Sequence, residues 1–194
     1  MKRKLIAFLA VTACVFFSVQ MLFAAGNVPE KGEIFPEITL PVPERTHETE
    51  YLGIKEKTHF MISQINADLI IVEIFSMYCP YCQKEAPNVN ELFALIEQSE
   101  KYSCRVKIIG IGAGNTPFEV DVFRSQYNIR FPLFSDETFS IHKKIGEVRT
   151  PHFFVIRNTP DGKGKMVYSE VGSIQDPAKF LERIIRESAI RQEE

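Results

Sequence analysis

The strongest hydrophobic signal in the chain is Leu69-Ile70-Ile71-Val72-Glu73-Ile74-Phe75, apolar at every position but one, as a strand buried on both faces would be. The period then changes: from Pro80 onward Ala86, Val89, Leu92, Phe93 and Ile96 recur at helical spacing, predicting a helix to about Gln98 with Pro87 inside it. Residues 105–111 predict the next strand. Thr116-Pro117-Phe118-Glu119 is a capping box with proline just inside the start, opening a helix that runs to about Tyr127. Residues 131–134 are a short extended piece, and 137–145 a third helix closed by Gly146. Two strands, 152–156 and 166–171, are joined by Asn158-Thr159-Pro160-Asp161-Gly162, a turn that makes them antiparallel. Asp176-Pro177 caps a last helix with Phe180, Leu181, Ile184 and Ile185 on one face. Earlier in the chain the pattern is weaker: 51–54 predicts a short strand and 60–65 a helical turn. Strands alternating with helices and ending in a hairpin plus helix imply an α/β fold, a mixed central sheet with helices on both faces.

The amino terminus is patterned differently. Lys2-Arg3-Lys4, an apolar stretch over 5–17 and the small residues Ala24-Ala25-Gly26 read as an export signal. Residues 5–25 are also long enough to span a bilayer at about 1.5 Å per residue. Residues 1–26 are therefore a signal peptide or an N-terminal membrane anchor, and Val11-Thr12-Ala13-Cys14 adds a third option, lipidation at Cys14. Residues 27–50 hold Pro36, Pro41 and Pro43, which exclude a helix around them, and read as a linker with an N-terminal extended segment. Residues 51–194 are left as one domain; 194 residues with 45% hydrophobic content suit one core and not two. The net charge of -2 becomes about -5 without the three leader cations. Basic residues are scattered, with no Lys/Arg stripe and interleaved aromatics, which argues against a nucleic-acid partner.

Candidate chemistry centres on Cys79-Pro80-Tyr81-Cys82, placed where the apolar strand stops and the helix begins. A bare Cys-x-x-Cys is either half a zinc site or a dithiol. No second cysteine pair and no close histidine completes a zinc site, since Cys104 stands alone, so dithiol chemistry is the reading adopted. With Pro80 at the first helical position, Cys79 takes the N-cap, where free N–H groups and the helix dipole favour a thiolate. Cys79 is thus the expected nucleophile and Cys82, one turn on, the expected resolving thiol. Pro80 and Tyr81 shape that helix end. Glu73, an acid within the apolar strand, is expected to have a raised pKa. Cys104 is expected to be a packed core thiol, His152 a half-buried strand residue, and His47, His59 and His142 surface residues without metal-like spacing. An exported dithiol meets an oxidising compartment, which implies a redox partner that maintains it.

On Glu73, the Cys79/Cys82 pair, Pro87 and Thr150-Pro151, the chain resembles the thioredoxin superfamily, and within it the TlpA/ResA-like exported thiol–disulfide oxidoreductases. The resemblance spans roughly 32–187. The segment Lys107-Ile108-Ile109-Gly110-Ile111-Gly112 with the helix after it and Phe131-Pro132-Leu133 looks like the redoxin-type insertion of that branch. The resemblance implies a thioredoxin-like fold and a cis peptide at Pro151 facing the cysteines. It also implies a substrate strand pairing with the Thr150 backbone, and Glu73 relaying the proton of Cys82. It implies no cofactor beyond the Cys79–Cys82 disulfide. Expected partners are protein thiols and disulfides, with a membrane electron donor of the DsbD/CcdA kind, in the periplasm or at the outer face of the cytoplasmic membrane. Cytochrome maturation is one context of such proteins. Tyr78 stands where thioredoxins carry Trp, the stretch 73–80 is closer to DsbA-like oxidases, and Cys-Pro-Tyr-Cys is similar to glutaredoxins, so an oxidase is the first alternative. A Sco-like copper chaperone using His142 and a peroxiredoxin-like peroxidase are the others.

Overall fold

The computed structural model describes residues 27–159 and 161–189; the leader read over 1–26, Cys14 included, lies outside them. Five strands form the central sheet: β3 (Leu69–Phe75), β4 (Val106–Ala113), β5 (Leu133–Asp136), β6 (His152–Asn158) and β7 (Gly164–Val171), in the order β5-β4-β3-β6-β7. β4 runs parallel to both β3 and β5, while β6 is antiparallel to β3 and β7. The mixed sheet thus puts the apolar run in the middle, and all seven residues of β3 are buried. In that register Glu73 lies between Gly110 of β4 and Phe153 of β6.

One face of the sheet is covered by α2 (Pro80–Glu97), α3 (Pro117–Tyr127) and α5 (Pro177–Ser188). Ala86, Val89, Leu92, Phe93 and Ile96 all face this layer, and Phe75 stacks on Phe123 at 4.6 Å between centroids. Thr116 and Glu119 form the expected reciprocal capping box at the start of α3. α4 (Ser140–Lys144) starts later than the sequence pattern suggests, because Phe139 adopts a left-handed conformation (φ 57°). The Asp136 carboxylate receives the N–H groups of Ile141 and His142, first-turn donors that the later helix start leaves without an intrahelical partner.

The opposite face differs more from expectation. Residues 27–50 are not a linker standing off the domain: β1 (Thr39–Pro41) pairs with β2 (His59–Met61), and Phe35, Ile38 and Leu40 are buried against Ile70, Val72 and Ile74. Residues 51–54 do not form a strand. Tyr51 and Leu52 end α1 (Thr46–Leu52), stopped by Gly53 in the left-handed region (φ 62°), a conformation glycine adopts without a Cβ clash. Of 60–65, only Ile62–Gln64 makes a helical turn, following β2. Two further corrections concern cysteine and histidine. Cys104 is exposed rather than packed in the core, because β4 starts only at Val106 and Cys104 belongs to the turn before it. His152 is buried rather than half-buried, its Nε2 3.1 Å from Ser169 Oγ and its ring 4.3 Å from that of Phe154; burial pushes its pKa down to about 4, against a smaller upward pull from Glu170.

α1 is joined to α3 by an ion pair shielded from water: Glu48 Oε1 lies 2.8 Å from Arg124 Nη1, and both side chains are largely buried. Removing Arg124 leaves the buried Glu48 carboxylate with only the longer, half-exposed contact to Arg45 Nη1 at 3.5 Å. Arg124→Met is expected to lower stability by about 3 kcal/mol in urea denaturation, and adding Glu48→Leu should restore much of it. An Arg124→Met protein as stable as wild type would contradict this account of the pair.

Candidate functional site

The site forms at the carboxyl edge of β3, where the chain turns into α2. Cys79 is the N-cap of α2, in extended conformation (φ -84°, ψ 113°), with Pro80 exposed at the first helical position. The turn before it is held by side chains from two other elements. Asn115, fully buried after β4, accepts the Met77 N–H at 2.9 Å, and Gln83 Nε2 donates to the Met77 carbonyl at 2.8 Å. Tyr78 donates its hydroxyl to Glu119, tying the residue beside Cys79 to the start of α3. Both faces of the Met77 peptide are therefore fixed, and with them the direction in which Cys79 leaves the strand.

The two thiols, both free, occupy opposite environments. Burial alone raises the Cys79 thiol, but hydrogen bonds from the Thr150 side chain, from the backbone and thiol of Cys82 and from the Tyr81 backbone outweigh it, setting Cys79 below the ordinary thiol range. In its protonated form Cys79 donates to the Thr150 carbonyl at 3.3 Å. Cys82 is fully buried on the inner face of α2. Burial pushes its thiol well up, only partly offset by a backbone hydrogen bond from Ser76, and the negative charge of Glu73 pushes it further.

Glu73 is 2% exposed, and its Oε1 has no hydrogen-bond partner among the described residues. Burial raises its pKa to about 8, helped by repulsion from Glu85. Glu85 is a residue that sequence reasoning missed. It lies one helical turn after Cys82 on the buried stripe of α2, accepting from the Ile174 N–H at 2.9 Å and from Asn88 Nδ2 at 3.2 Å. The signal was available, since an acid three residues after Cys82 shares the stripe with Ala86 and Val89.

The Thr150–Pro151 peptide is cis. Thr150, Pro151 and Tyr81 line a groove of about 790 Å³ between the start of α2 and the end of β7; neither cysteine lines it, and it adjoins Cys79 through Thr150. The structure thus brings Cys79, Cys82, Glu73 and Thr150 together, with Tyr81, Thr150 and Pro151 in the adjoining groove; Pro80, like the two cysteines, is not part of the groove lining. His142 is engaged elsewhere, with its Nε2 2.8 Å from the Val148 carbonyl oxygen. Such an arrangement holds a reactive, accessible sulfur beside a buried one, with a proton-holding carboxyl next to the second.

Known proteins resemble the chain in both sequence and fold. The thiol-disulfide oxidoreductase ResA of Bacillus thuringiensis subsp. konkukian is 30% identical over 98 residues, covering 50% of this chain and 51% of that protein, so the chain spans about half the length of this relative. The ResA of Geobacillus thermodenitrificans is 23% identical over 164 residues, covering 84% of this chain and 90% of the relative. Among solved structures, StoA from Bacillus subtilis superposes with a TM-score of 0.54 at 16% identity, covering 80% of this chain and 98% of that one. The thioredoxin domain of a thiol-disulfide oxidoreductase from Bacteroides vulgatus gives 0.59 at 15% identity, covering 81% and 99%. The fold is thioredoxin-like. Residues 32–167, the greater part of the chain, match the AhpC/TSA family, and the protein belongs to that family.

Proposed function

We propose that the protein is an exported thiol–disulfide oxidoreductase that reduces disulfides in other exported proteins. The observation that carries this reading is the split between the two cysteines: Cys79 is half-exposed with a lowered pKa, while Cys82 is buried, raised and next to Glu73. The Cys79 thiolate attacks a substrate disulfide, forming a bond to one sulfur and displacing the other as a thiolate that takes up a proton. Cys82 then passes its proton to Glu73, attacks the Cys79 sulfur, closes the Cys79–Cys82 disulfide and releases the second substrate thiol. Two electrons leave the protein, so it needs recharging, for which a membrane donor of the DsbD/CcdA kind is suited. Export rests on the leader read over residues 1–26, and cytochrome maturation is a setting that the resemblance to TlpA/ResA-like proteins implies.

The reducing direction is the reading supported by the buried partner thiol: Cys79 is lowered, but Cys82 and Glu73 are both held towards their protonated forms, so the reduced pair is only partly stabilised as charged species. A strong oxidant owes its potential to a stabilised reduced form. Here hydrogen bonds bring only the Cys79 sulfur below the ordinary thiol range, and burial works against them. The full chain in detergent, equilibrated against thiol buffers, is expected to show a reduction potential near the thioredoxin value of about -270 mV. A potential near about -120 mV would make the protein an oxidase, and a Cys79–Cys82 pair that never cycles would end the enzymatic reading.

A further inference from the structure

The groove beside the cysteines carries charge that its own fold leaves unanswered. Its lining includes Lys84 of α2 and Arg149 just before Thr150, both exposed, and neither forms an ion pair among the described residues. Some exposed cations elsewhere are paired, as Lys31 with Glu187, Arg45 with Asp121 and Arg183 with Glu170, and others such as Lys101 and Lys165 are not, among the described residues; what sets Lys84 and Arg149 apart is that both line this groove. The only acid lining the groove is Glu85, which is buried and whose two oxygens are taken by Ile174 and Asn88. The accessible walls are therefore cationic on both sides, from α2 and from the segment before Pro151. In the same groove Tyr81 and Val171 expose apolar surface, at 74% and 47%. The groove adjoins the nucleophile through Thr150, whose carbonyl accepts from Cys79 Sγ at 3.3 Å.

We propose that this groove selects polypeptide substrates whose reacting cysteine is flanked by an acidic side chain together with an apolar one, with Lys84 and Arg149 as the specificity-determining residues. The proposal rests on the thiol–disulfide exchange reading above and names its substrate class. The acid is drawn to Lys84 and Arg149 while the apolar neighbour covers Tyr81 and Val171, so an extended segment reaches Cys79 already oriented. Attraction between exposed charges is modest per pair and screened by salt, so the groove sorts substrates by rate rather than by tight binding.

The test uses the full-length reduced protein and three synthetic peptides, each with one cysteine in a mixed disulfide with a chromogenic thiol. They differ only in carrying Asp, Asn or Lys beside an otherwise constant apolar flank. At low ionic strength the Asp peptide is expected to react about fivefold faster than the Asn peptide, and the Lys peptide more slowly. The order should flatten in 0.5 M salt and reverse in a Lys84→Glu/Arg149→Glu variant. A Lys101→Gln/Lys165→Gln control, which removes two exposed cations at the other end of the sheet, should keep the wild-type order. Rates within about twofold for all three peptides, or an order that survives charge reversal, overturn the proposal while leaving the exchange reading intact. Failure of the protein to react with any peptide overturns both.

Discussion

A Cys82→Ser protein is expected to stop half-way, accumulating a covalent mixed disulfide between Cys79 and a substrate cysteine that is stable until an external thiol is added. A Cys79→Ser protein is expected to form no such adduct and to reduce nothing. The asymmetry follows from position. Cys79 sits at the N-cap of α2 where the donors of Thr150, Cys82 and Tyr81 reach its sulfur, whereas Cys82 points inward and is fully buried. A substrate disulfide reaches the first sulfur and not the second, and a thiol held protonated by burial is a poor first nucleophile. Without Cys82 nothing inside the protein displaces the substrate from Cys79, so turnover falls to background in both variants by different routes. Non-reducing electrophoresis and intact mass after mixing with a disulfide protein separate them. Adducts on Cys79→Ser, or none on Cys82→Ser, would reverse the assignment of the two cysteines.

How much of this was legible in the sequence depended on whether the information was local. The redox pair was legible because its context is local: a run of apolar residues, then Cys79 and Pro80, then a helical stripe, all within a few turns of chain. Glu73 was legible for the same reason, as one acid in seven apolar positions. Glu85 was not picked out because the stripe was traced through its apolar members, and an acid at the same spacing falls out of such a count. α1 is hard to read because Thr46–Leu52 is mostly polar and turns only Glu48, Tyr51 and Leu52 inward; its support comes from far along the chain, in the pairing of Glu48 with Arg124 and of Tyr51 with Phe93 and the Ile108 N–H. Pro36, Pro41 and Pro43 rightly excluded a helix, yet that says nothing of burial. Phe35, Ile38 and Leu40 are covered only because β3 turns Ile70, Val72 and Ile74 towards them. Cys104 misled for a related reason: the strand it was assigned to begins two residues later, after a turn whose place is set by the rest of the fold. Local patterns mark which stretches form a helix or strand, whereas their exact ends and the burial of a side chain are set by the partner face.

The other large effect is expected from Glu73→Gln. The glutamine keeps the shape of the side chain but cannot accept the proton of Cys82. The second step, release of substrate from Cys79, should slow by about 100-fold, in the usual range for a lost general base. The first attack should be affected much less, since it draws on Cys79 alone. In the wild-type protein the second step should speed up as pH rises towards about 8, where Glu73 loses its proton, and this rise should be absent in Glu73→Gln. Stability carries the opposite sign. The native carboxyl holds its proton up to about 8 while the unfolded one releases it near 4.5, so between these values the native state binds more protons. Stability is therefore fully favoured below 4.5 and declines as pH rises through the window, by a few kcal/mol at most. Glu73→Gln removes that decline, so the variant should gain stability relative to wild type as pH goes from 5 to 8; the titration of His152, present in both proteins, cancels in the difference. Single-turnover release measured by quench across pH, with urea denaturation at the same pH values, reads both effects. A variant that releases substrate as fast as wild type would remove Glu73 from the proton path. One whose stability difference does not change with pH would mean that the buried carboxyl titrates in the native state much as it does in the unfolded chain.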